Sequence, residues 1–241
     1  MIVVKIGGSV ITNKSRIREA KMDVIDRIAK DIAEAKANNL ILVHGAGSFG
    51  HPFVIKYRLK EVKNLKGVVE AHMSCKELNT LFCKAMLKYG LKPFPIHPLT
   101  TFKLSGGKIL FDAEIFEKAL DEGFIPVTHG DMVYDVKDRF FKVLSGDDIT
   151  LEIAKVFKAE KVGFATDVEG VYVEGELRDV VTWKDLDKIG LSKGIDVTGG
   201  MRSKVEKILR SSIKARIFGI SKLREFLSCK DVGTLVIGNV L

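Results

Sequence analysis

The chain has 241 residues and a formal net charge of +8, and 46% of its residues are hydrophobic. No apolar run reaches the ~18 residues of a membrane-spanning helix, and the first residues lack the layout of a signal peptide, so we expect no membrane partner. The lysines are scattered without an aromatic-basic motif, which argues against nucleic acid and favours anionic small molecules as partners. The three cysteines, Cys75, Cys83 and Cys229, have no metal-type spacing and indicate reduced thiols in a cytoplasmic protein.

Apolar runs typical of buried strands alternate with stretches of helical periodicity. In chain order, the pattern predicts a strand at 2–6, a helix at about 19–37, a strand at 40–43, a long helix at 68–88, strands at 94–96 and 125–128, a hairpin at 134–144 that turns at Lys137-Asp138, a helix from 145, a strand at 162–166, a helix at 200–214, and strands at 216–220 and 234–237. This alternation predicts an α/β fold: a three-layer αβα sandwich with a mainly parallel central sheet. We expect one domain over residues 1–241.

The first strand contains a lysine, Lys5, and is followed at once by Gly7, Gly8 and Ser9. A buried lysine is costly unless a negative group meets it. The two glycines allow the backbone to turn sharply and to approach a ligand closely. The segment therefore predicts a phosphate-binding loop. The alternative is an ordinary first strand whose lysine extends to solvent at the edge.

Glycine-rich or acidic loops also follow three other predicted strands, at 44–51, 129–131 and 166–170. Ligands of parallel sheets bind at the carboxyl ends of the strands, so these loops indicate one shared site. Gly45, Gly47 and Gly50 match the G-x-G-x-x-G dinucleotide fingerprint, but on the second strand rather than the first. Pro52 also argues against a helix that opens directly on this loop. No Walker sequence is present, so the chain is not a P-loop kinase.

Three further side chains each have a structural and a functional interpretation. Lys204 is expected in the first turn of a helix, where it is either a solvated lysine or part of an anion site. Asp147 either caps the helix that starts at residue 145 or holds lysine ammonium groups in place. His51 is either a surface residue or a donor to a phosphate oxygen. Lys5, Lys14 and Lys204, with Mg2+ on the nucleotide phosphates, would supply the charge that phosphoryl transfer needs.

Five ordered motifs over nearly the whole chain resemble those of the amino acid kinase superfamily. They are Lys5-x-Gly7-Gly8-Ser9, His44-Gly45-x-Gly47, Ser145-Gly146-Asp147-Asp148, Thr166-Asp167-Val168-x-Gly170-Val171-Tyr172 and Asp196-Val197-Thr198-Gly199-Gly200-Met201-x-x-Lys204. Within the superfamily, Gly47-Ser48-Phe49-Gly50-His51-Pro52 and Ile11-Thr12-x-Lys14 are most similar to the isopentenyl phosphate kinases of archaeal type. The resemblance implies that ATP phosphorylates isopentenyl phosphate, in an alternative mevalonate route of isoprenoid biosynthesis.

The resemblance also implies site residues, an ATP and Mg2+ requirement, and a homodimer. The implied catalytic residues are Lys5, Lys14, His51, Asp147 and Lys204. The implied nucleotide-binding residues are Lys5, Gly7, Gly8, Ser9, Gly47, Thr166, Asp167, Gly170, Tyr172, Gly200 and Lys204. The implied acceptor-binding residues are Ala46, Gly47, Gly50, His51 and Gly130, with Val68, Ala71, Met132 and Val143 around the apolar tail. The N-terminal part would bind the acceptor, and the part from about residue 145 would bind the nucleotide.

Other functions stay open at this point. A kinase for another small phosphate or phosphonate, such as fosfomycin, can share the histidine, and a small polar pocket would distinguish it from a dry alkene slot. A non-catalytic nucleotide-binding protein on the same fold is expected to lack one or more of Lys5, Lys14, Asp147 and Lys204, yet all four are present. A dinucleotide oxidoreductase is a more distant alternative. Two departures from the resemblance are Ala46, in place of a common glycine, and a short segment between residues 172 and 196.

Overall fold

The computed structural model of the protein describes residues 1–190 and 200–238, so Asp196 to Gly199 of the last motif lie outside the described residues. The strands are β1 Ile2–Ile6, β2 Leu40–His44, β3 Pro93–Pro95, β4 Phe102–Ser105, β5 Lys108–Phe111, β6 Ile125–His129, β7 Asp131–Asp135, β8 Phe140–Leu144, β9 Lys161–Thr166, β10 Val171–Val173, β11 Glu176–Arg178, β12 Val180–Val181, β13 Ala215–Gly219 and β14 Thr234–Val236. The α-helices are α1 Gly8–Ile11, α2 Met22–Ala35, α3 His51–Lys56, α4 Leu65–Lys88, α5 Pro98–Thr101, α6 Ala113–Asp121, α7 Gly146–Val156, α8 Gly200–Ser211 and α9 Leu223–Leu227.

The central sheet has eight strands in the order β12-β14-β13-β9-β1-β2-β6-β3. Every neighbouring pair is parallel except β13 and β14, which are antiparallel. The prediction of a mainly parallel sheet is therefore confirmed. Strands β9, β1, β2 and β6 lie side by side at its centre, and their carboxyl ends share one edge.

Helices cover both faces of this sheet, as the predicted three-layer sandwich requires. Successive strand residues point to opposite faces. Val3 of β1 packs in a core with residues of α6, α7 and α8, whereas Val4 and Ile6 pack in a second core with residues of α2, α4 and α9. Lys5 alternates with Val4 and Ile6, so its side chain is on the face that α7 and α8 cover. No helix within the described ranges is long and apolar enough to cross a membrane.

A second sheet of four strands, in the order β5-β4-β7-β8, stands beside the central one. The predicted hairpin at 134–144 is confirmed as β7 and β8, although β7 already begins at Asp131. Its register pairs Met132 with Val143. The β4–β5 hairpin, which turns at Gly106 and Gly107, was not predicted from the sequence. Both glycines have a positive φ, as a tight hairpin turn favours.

Several predicted boundaries differ from the structure for local reasons. The helix expected from residue 19 begins at Met22, because Ala20 still forms an extended bridge with Thr12. The long helix begins at Leu65 rather than Val68, since the Asn64 side chain caps it by accepting from the Gly67 N–H. The helix expected to reach residue 214 ends at Ser211, where the next residue has a φ of 60°.

The expectation that no helix opens on the glycine loop was wrong. A single 3-10 turn at Gly47–Phe49 leads directly into α3, which begins at His51. Pro52 is in the first turn of α3, where a proline costs no hydrogen bond because that N–H has no intrahelical acceptor. His51 is thereby placed at the N-terminus of a helix, directly beside the glycine loop.

Candidate active site

The loops expected to share a site follow the four adjacent central strands. The loop at 7–9 follows β1, that at 45–50 follows β2, Gly130 follows β6, and Asp167 follows β9. Parallel strands end at one edge of the sheet, so the predicted convergence results from the fold. Helices α7 and α8 cover the same edge and contribute Asp147 and Lys204.

Asp147 binds two lysines that the sequence separates widely. One carboxylate oxygen of Asp147 lies 2.9 Å from the Lys5 amine, and the Lys204 amine lies 3.0 and 2.9 Å from the two oxygens. All three side chains are largely withdrawn from solvent. The helix cap is made by Ser145 instead, whose hydroxyl accepts from the Asp148 N–H. The geometry is therefore that of an organiser of ammonium groups and not of a capping aspartate.

Electrostatics in this cluster favour a bound anion. Burial opposes ionisation of Asp147, but Lys5 and Lys204 outweigh it and hold the pKa of this carboxyl below its usual value. Burial and the nearby positive charge of Lys5 lower the pKa of Lys204 to about 8. Two buried ammonium groups thus share one carboxylate, and a phosphate would supply the missing negative charge. Lys204 is the fifth residue of α8, beyond the predicted first turn, and its amine points to Asp147.

The two glycine loops pack backbone against backbone. A β-carbon on Gly8 would lie 2.5 Å from the Gly47 nitrogen, and one on Gly45 would lie 2.6 Å from the Gly8 nitrogen. Thr12 links the two loops where they cross. Its buried hydroxyl donates to the Gly8 carbonyl at 2.8 Å and accepts from the Ser48 N–H at 3.0 Å. Thr12 belongs to a motif singled out in the sequence, but the sequence did not indicate this role.

The other acceptor-loop residues lie against the same crossing. Gly130 donates its N–H to the His44 carbonyl at 3.0 Å, and a β-carbon there would lie 3.0 Å from the Gly146 nitrogen at the start of α7. A β-carbon on Gly50 would lie 2.5 Å from that of Ala46. The absence of side chains at these positions therefore lets the three loops and α7 approach closely.

Lys14 lies outside the buried cluster. Its side chain is exposed, and its amine is 3.3 Å from a carboxylate oxygen of Asp167. Burial raises the pKa of Asp167, but Lys14 and a hydrogen bond from Ser9 lower it more. The structure therefore brings Lys14, Ser9 and Asp167 together at the open side of the loops.

The remaining residues that we expected to bind the nucleotide mostly contact other parts of the protein. Thr166 donates its hydroxyl to the Val168 carbonyl at 2.8 Å. A β-carbon on Gly170 would lie 2.5 Å from the Thr234 hydroxyl, so a glycine is needed there for packing. Tyr172 is half-buried in the β10–β11 hairpin, and Gly200 is the exposed first residue of α8.

His51 is exposed, with neighbouring protein atoms crowding part of its ring. Partial burial and then the charges of Lys5 and Lys60 lower the pKa of His51. At neutral pH the ring is therefore mainly a neutral hydrogen-bond donor and acceptor. An anion bound between His51 and Lys5 would raise that pKa again, because opposite charge favours the imidazolium.

An apolar cluster adjoins α3, close to His51. Its buried members are Phe53, Leu59, Val68, Ala71 and Met132. It contains three of the four residues expected around an apolar tail. The fourth, Val143, is exposed and lies opposite Met132 across the β7–β8 pair. Facing residues of an antiparallel pair share one face, so Val143 extends the cluster toward solvent.

Two buried histidines at strand ends, His44 and His129, belong to loops noted in the sequence but were not among the expected site residues. His44 and His129 stack with ring centroids 5.3 Å apart, and each places Nδ1 3.1 Å from the carbonyl oxygen of the following glycine. Burial lowers the pKa of both, that of His44 to about 3. The two neutral rings therefore pack against the glycine loops and hydrogen-bond to the Gly45 and Gly130 carbonyl oxygens. Their role could not be recognised in the sequence, because a histidine before a glycine has no distinctive spacing.

The sequence matches the model of the amino acid kinase family over residues 1–219, and the chain belongs to this family. The isopentenyl phosphate kinase of Methanocaldococcus jannaschii is 32% identical, in an alignment that covers 92% of this chain and 92% of the relative. That of Methanothermobacter thermautotrophicus is 36% identical over 87% of this chain and 86% of the relative. A solved structure described as isopentenyl phosphate kinase superimposes with a TM-score of 0.84 at 31% identity, covering 98% of this chain and 99% of that chain. The resemblance inferred from the motifs is confirmed.

Proposed function

We propose that the protein is an ATP-dependent kinase that phosphorylates isopentenyl phosphate. An oxygen of the acceptor phosphate attacks the γ-phosphorus of ATP, the bond to the bridging oxygen breaks, and ADP leaves with isopentenyl diphosphate as the second product. The observation that carries the proposal is the pair of amines, Lys5 and Lys204, held on Asp147 where the glycine loops cross. Fixed cations at this position stabilise charge on the transferring group without reorganisation.

The acceptor is proposed to lie between His51 and the apolar cluster around Met132. His51 at the start of α3 would donate to one phosphate oxygen, and backbone N–H groups of the 45–50 loop, such as those of Ala46 and Gly47, would donate to the others. The apolar cluster would take the alkenyl tail, which a small polar phosphonate such as fosfomycin would leave unfilled. This cluster favours isopentenyl phosphate over fosfomycin as the acceptor.

Lys14 is proposed to move from Asp167 to the transferring phosphoryl group when the substrates bind. Its exposed side chain and its single ion pair leave it free to do so at little cost, since exposed pairs contribute about 0–1 kcal/mol. Asp167, with Tyr172 and Gly170 on the following segment, would then border the nucleoside. The N-terminal part of the chain would thus bind the acceptor, and the part from about residue 145 would bind ATP.

Mg2+ is proposed to enter on the phosphates of ATP. Both oxygens of Asp147 bind lysines, and Asp167 pairs with Lys14, so both carboxylates are already paired with cations. The ion would therefore be held mainly by the nucleotide and by water. Magnesium commonly binds in this way, keeping several waters. When bound, the ion neutralises phosphate charge.

A homodimer in the cytoplasm completes the proposal. Leu65, Val69 and Met73 lie at i, i+4 and i+8 along α4 and are all exposed, so they form an apolar stripe that a second copy could cover. Cys75 and Cys83 are buried free thiols, which suits a reducing compartment.

The proposal is tested by ATP consumption with separate acceptors: isopentenyl phosphate, dimethylallyl phosphate, fosfomycin, UMP and N-acetylglutamate. We expect isopentenyl phosphate to give the highest kcat/KM, and no turnover without a divalent cation. Turnover confined to fosfomycin would identify a phosphonate kinase. Turnover confined to UMP or N-acetylglutamate would contradict the proposed role of the His51 loop.

A further inference from the structure

A group of side chains that commonly bind metal ions lies close to the 45–50 loop. It is separate from the cluster of Lys5, Lys204 and Asp147. Cys75 of α4, His129 at the end of β6 and Asp131 at the start of β7 place one ligand atom each within 4.8 Å of one another, and all three residues are buried. His72 adjoins them, because its Nδ1 is 2.7 Å from Oδ2 of Asp131. The fold thus brings together residues that the spacing of the cysteines did not indicate.

The donor set and its spacing suit zinc. A thiol, a carboxylate and two imidazoles are the ligand types of tetrahedral Zn2+ sites, which combine sulfur, nitrogen and oxygen donors. His72 and Cys75 are three residues apart and project from one face of α4. His129 and Asp131 are two residues apart on either side of Gly130. Two rigid segments therefore each supply a pair of ligands.

The surrounding contacts already orient these donors. Oδ1 of Asp131 accepts from the Met132 N–H at 2.8 Å, which leaves Oδ2 facing His72. His129 places Nδ1 3.1 Å from the Gly130 carbonyl oxygen, which fixes the ring and leaves Nε2 as its basic atom. Such outer contacts hold ligands in known metal sites.

We propose that Cys75, His129 and Asp131, with His72 as fourth ligand, bind Zn2+ and tie α4 to the β6–β7 turn. In the metal-free protein, hydrogen bonds join His72 to Asp131 and Nδ1 of His97 to Nε2 of His129, at 2.7 and 3.1 Å. Binding replaces these two contacts, and that of the Cys75 thiol with the Phe49 carbonyl at 3.8 Å, by metal bonds, and it releases the Cys75 proton to solvent. The bound ion would fix the base of Gly130, whatever substrate the kinase uses.

The test is a Co2+ titration of the intact, metal-stripped protein without an affinity tag, followed by displacement with Zn2+. We expect a sulfur-to-cobalt charge-transfer band and the intense visible absorption of tetrahedral Co2+, both abolished by one equivalent of Zn2+. Cys75→Ser should remove the charge-transfer band. It should also weaken Zn2+ binding by more than the about 10–100-fold that follows loss of an outer contact. Cys83→Ser, which changes a buried thiol on the same helix, should leave both unchanged.

A measurement on the unmodified protein keeps the proposal testable if Cys75→Ser does not fold. Calorimetric Zn2+ titration in buffers of different ionisation enthalpy should show release of about one proton per ion, from the thiol. Three results would overturn the proposal: no charge-transfer band, an identical band in Cys75→Ser, or Zn2+ binding without proton release. None of these readouts depends on kinase activity, so the zinc site and the proposed reaction can fail separately.

Discussion

Asp147 holds Lys204 through both of its carboxylate oxygens, at 3.0 and 2.9 Å. The same carboxylate also binds Lys5 at 2.9 Å, so one negative charge compensates two buried positive charges. The excess positive charge lies at the carboxyl edge of the central sheet, where phosphates are expected.

Replacement of Asp147 by Asn should reduce kcat/KM by on the order of 10²–10³-fold, the scale for loss of one preorganised electrostatic group. A neutral amide does not compensate the charges of Lys5 and Lys204, so the two ammonium groups would repel each other and lose their fixed positions. Steady-state kinetics on the folded variant would measure the loss. Asp148→Asn is the matched control, because Asp148 pairs with Lys207 on the outer side of the same helix turn. Near-normal activity of Asp147→Asn would exclude an organising role.

The pH dependence of kcat/KM for ATP should follow Lys204. Its pKa is lowered to about 8 in the free enzyme, so its charge, and with it ATP capture, should be lost as the pH rises through that value. Lys204→Arg should move the alkaline limb to higher pH, because a guanidinium stays protonated. The position of the limb is the readout, since the absolute rate of this variant can also fall. An alkaline limb unchanged in Lys204→Arg would assign it to another group.

Thr12→Val should loosen the crossing of the glycine loops. The variant leaves the buried Ser48 N–H without its acceptor, which should destabilise the fold by about 1–3 kcal/mol, and it removes one of the two donors to the Gly8 carbonyl, which keeps the Thr12 N–H. Because both loops shift, we expect KM to rise for ATP and for the acceptor alike. Thr12→Ser keeps the hydroxyl and should restore both values. Chemical denaturation and kinetics measure the two effects, and a Ser variant as impaired as Val would contradict the hydrogen-bond explanation.

His51→Ala should impair the acceptor and spare ATP. We expect a higher KM for isopentenyl phosphate and a lower kcat, while ATP affinity, which depends on Lys5 and Lys204, changes little. His51→Gln retains one hydrogen-bond donor and should recover part of the rate. Since the protein lowers the pKa of His51, binding of a phosphate dianion beside it at neutral pH should take up protons in the wild type but not in the Ala variant. Collapse of ATP affinity with an unchanged acceptor KM would place His51 on the nucleotide side.

Much of the central sheet could be predicted from the sequence, because its inner strands are short and largely buried apolar runs. β1 at Ile2–Ile6 is an example, with every residue buried. The β4–β5 hairpin was missed because its strands, such as Phe102–Ser105, mix buried and exposed residues and do not form an apolar run. The Gly106-Gly107 pair is nevertheless typical of a tight hairpin turn and could have indicated this hairpin.

Only part of the candidate site could be predicted from the sequence. The glycine loops and lysines could be found because strand ends of a parallel sheet converge, whatever the details of packing. Asp147 remained ambiguous, since a carboxylate two residues after a capping serine fits either interpretation until its contacts with Lys5 and Lys204 are known. The grouping of Cys75 with His129 could not be predicted, because tertiary packing alone brings α4 to the end of β6.

The most direct test of the central claim is a competition in one reaction. The wild-type enzyme receives ATP labelled in the γ-phosphate, with equal concentrations of isopentenyl phosphate, fosfomycin, UMP and N-acetylglutamate, and the labelled products are separated. We expect most of the label in isopentenyl diphosphate, on its terminal phosphate, and we expect Asp147→Asn to suppress this transfer. Label found mainly in another acceptor, or only in inorganic phosphate, would contradict the proposed function.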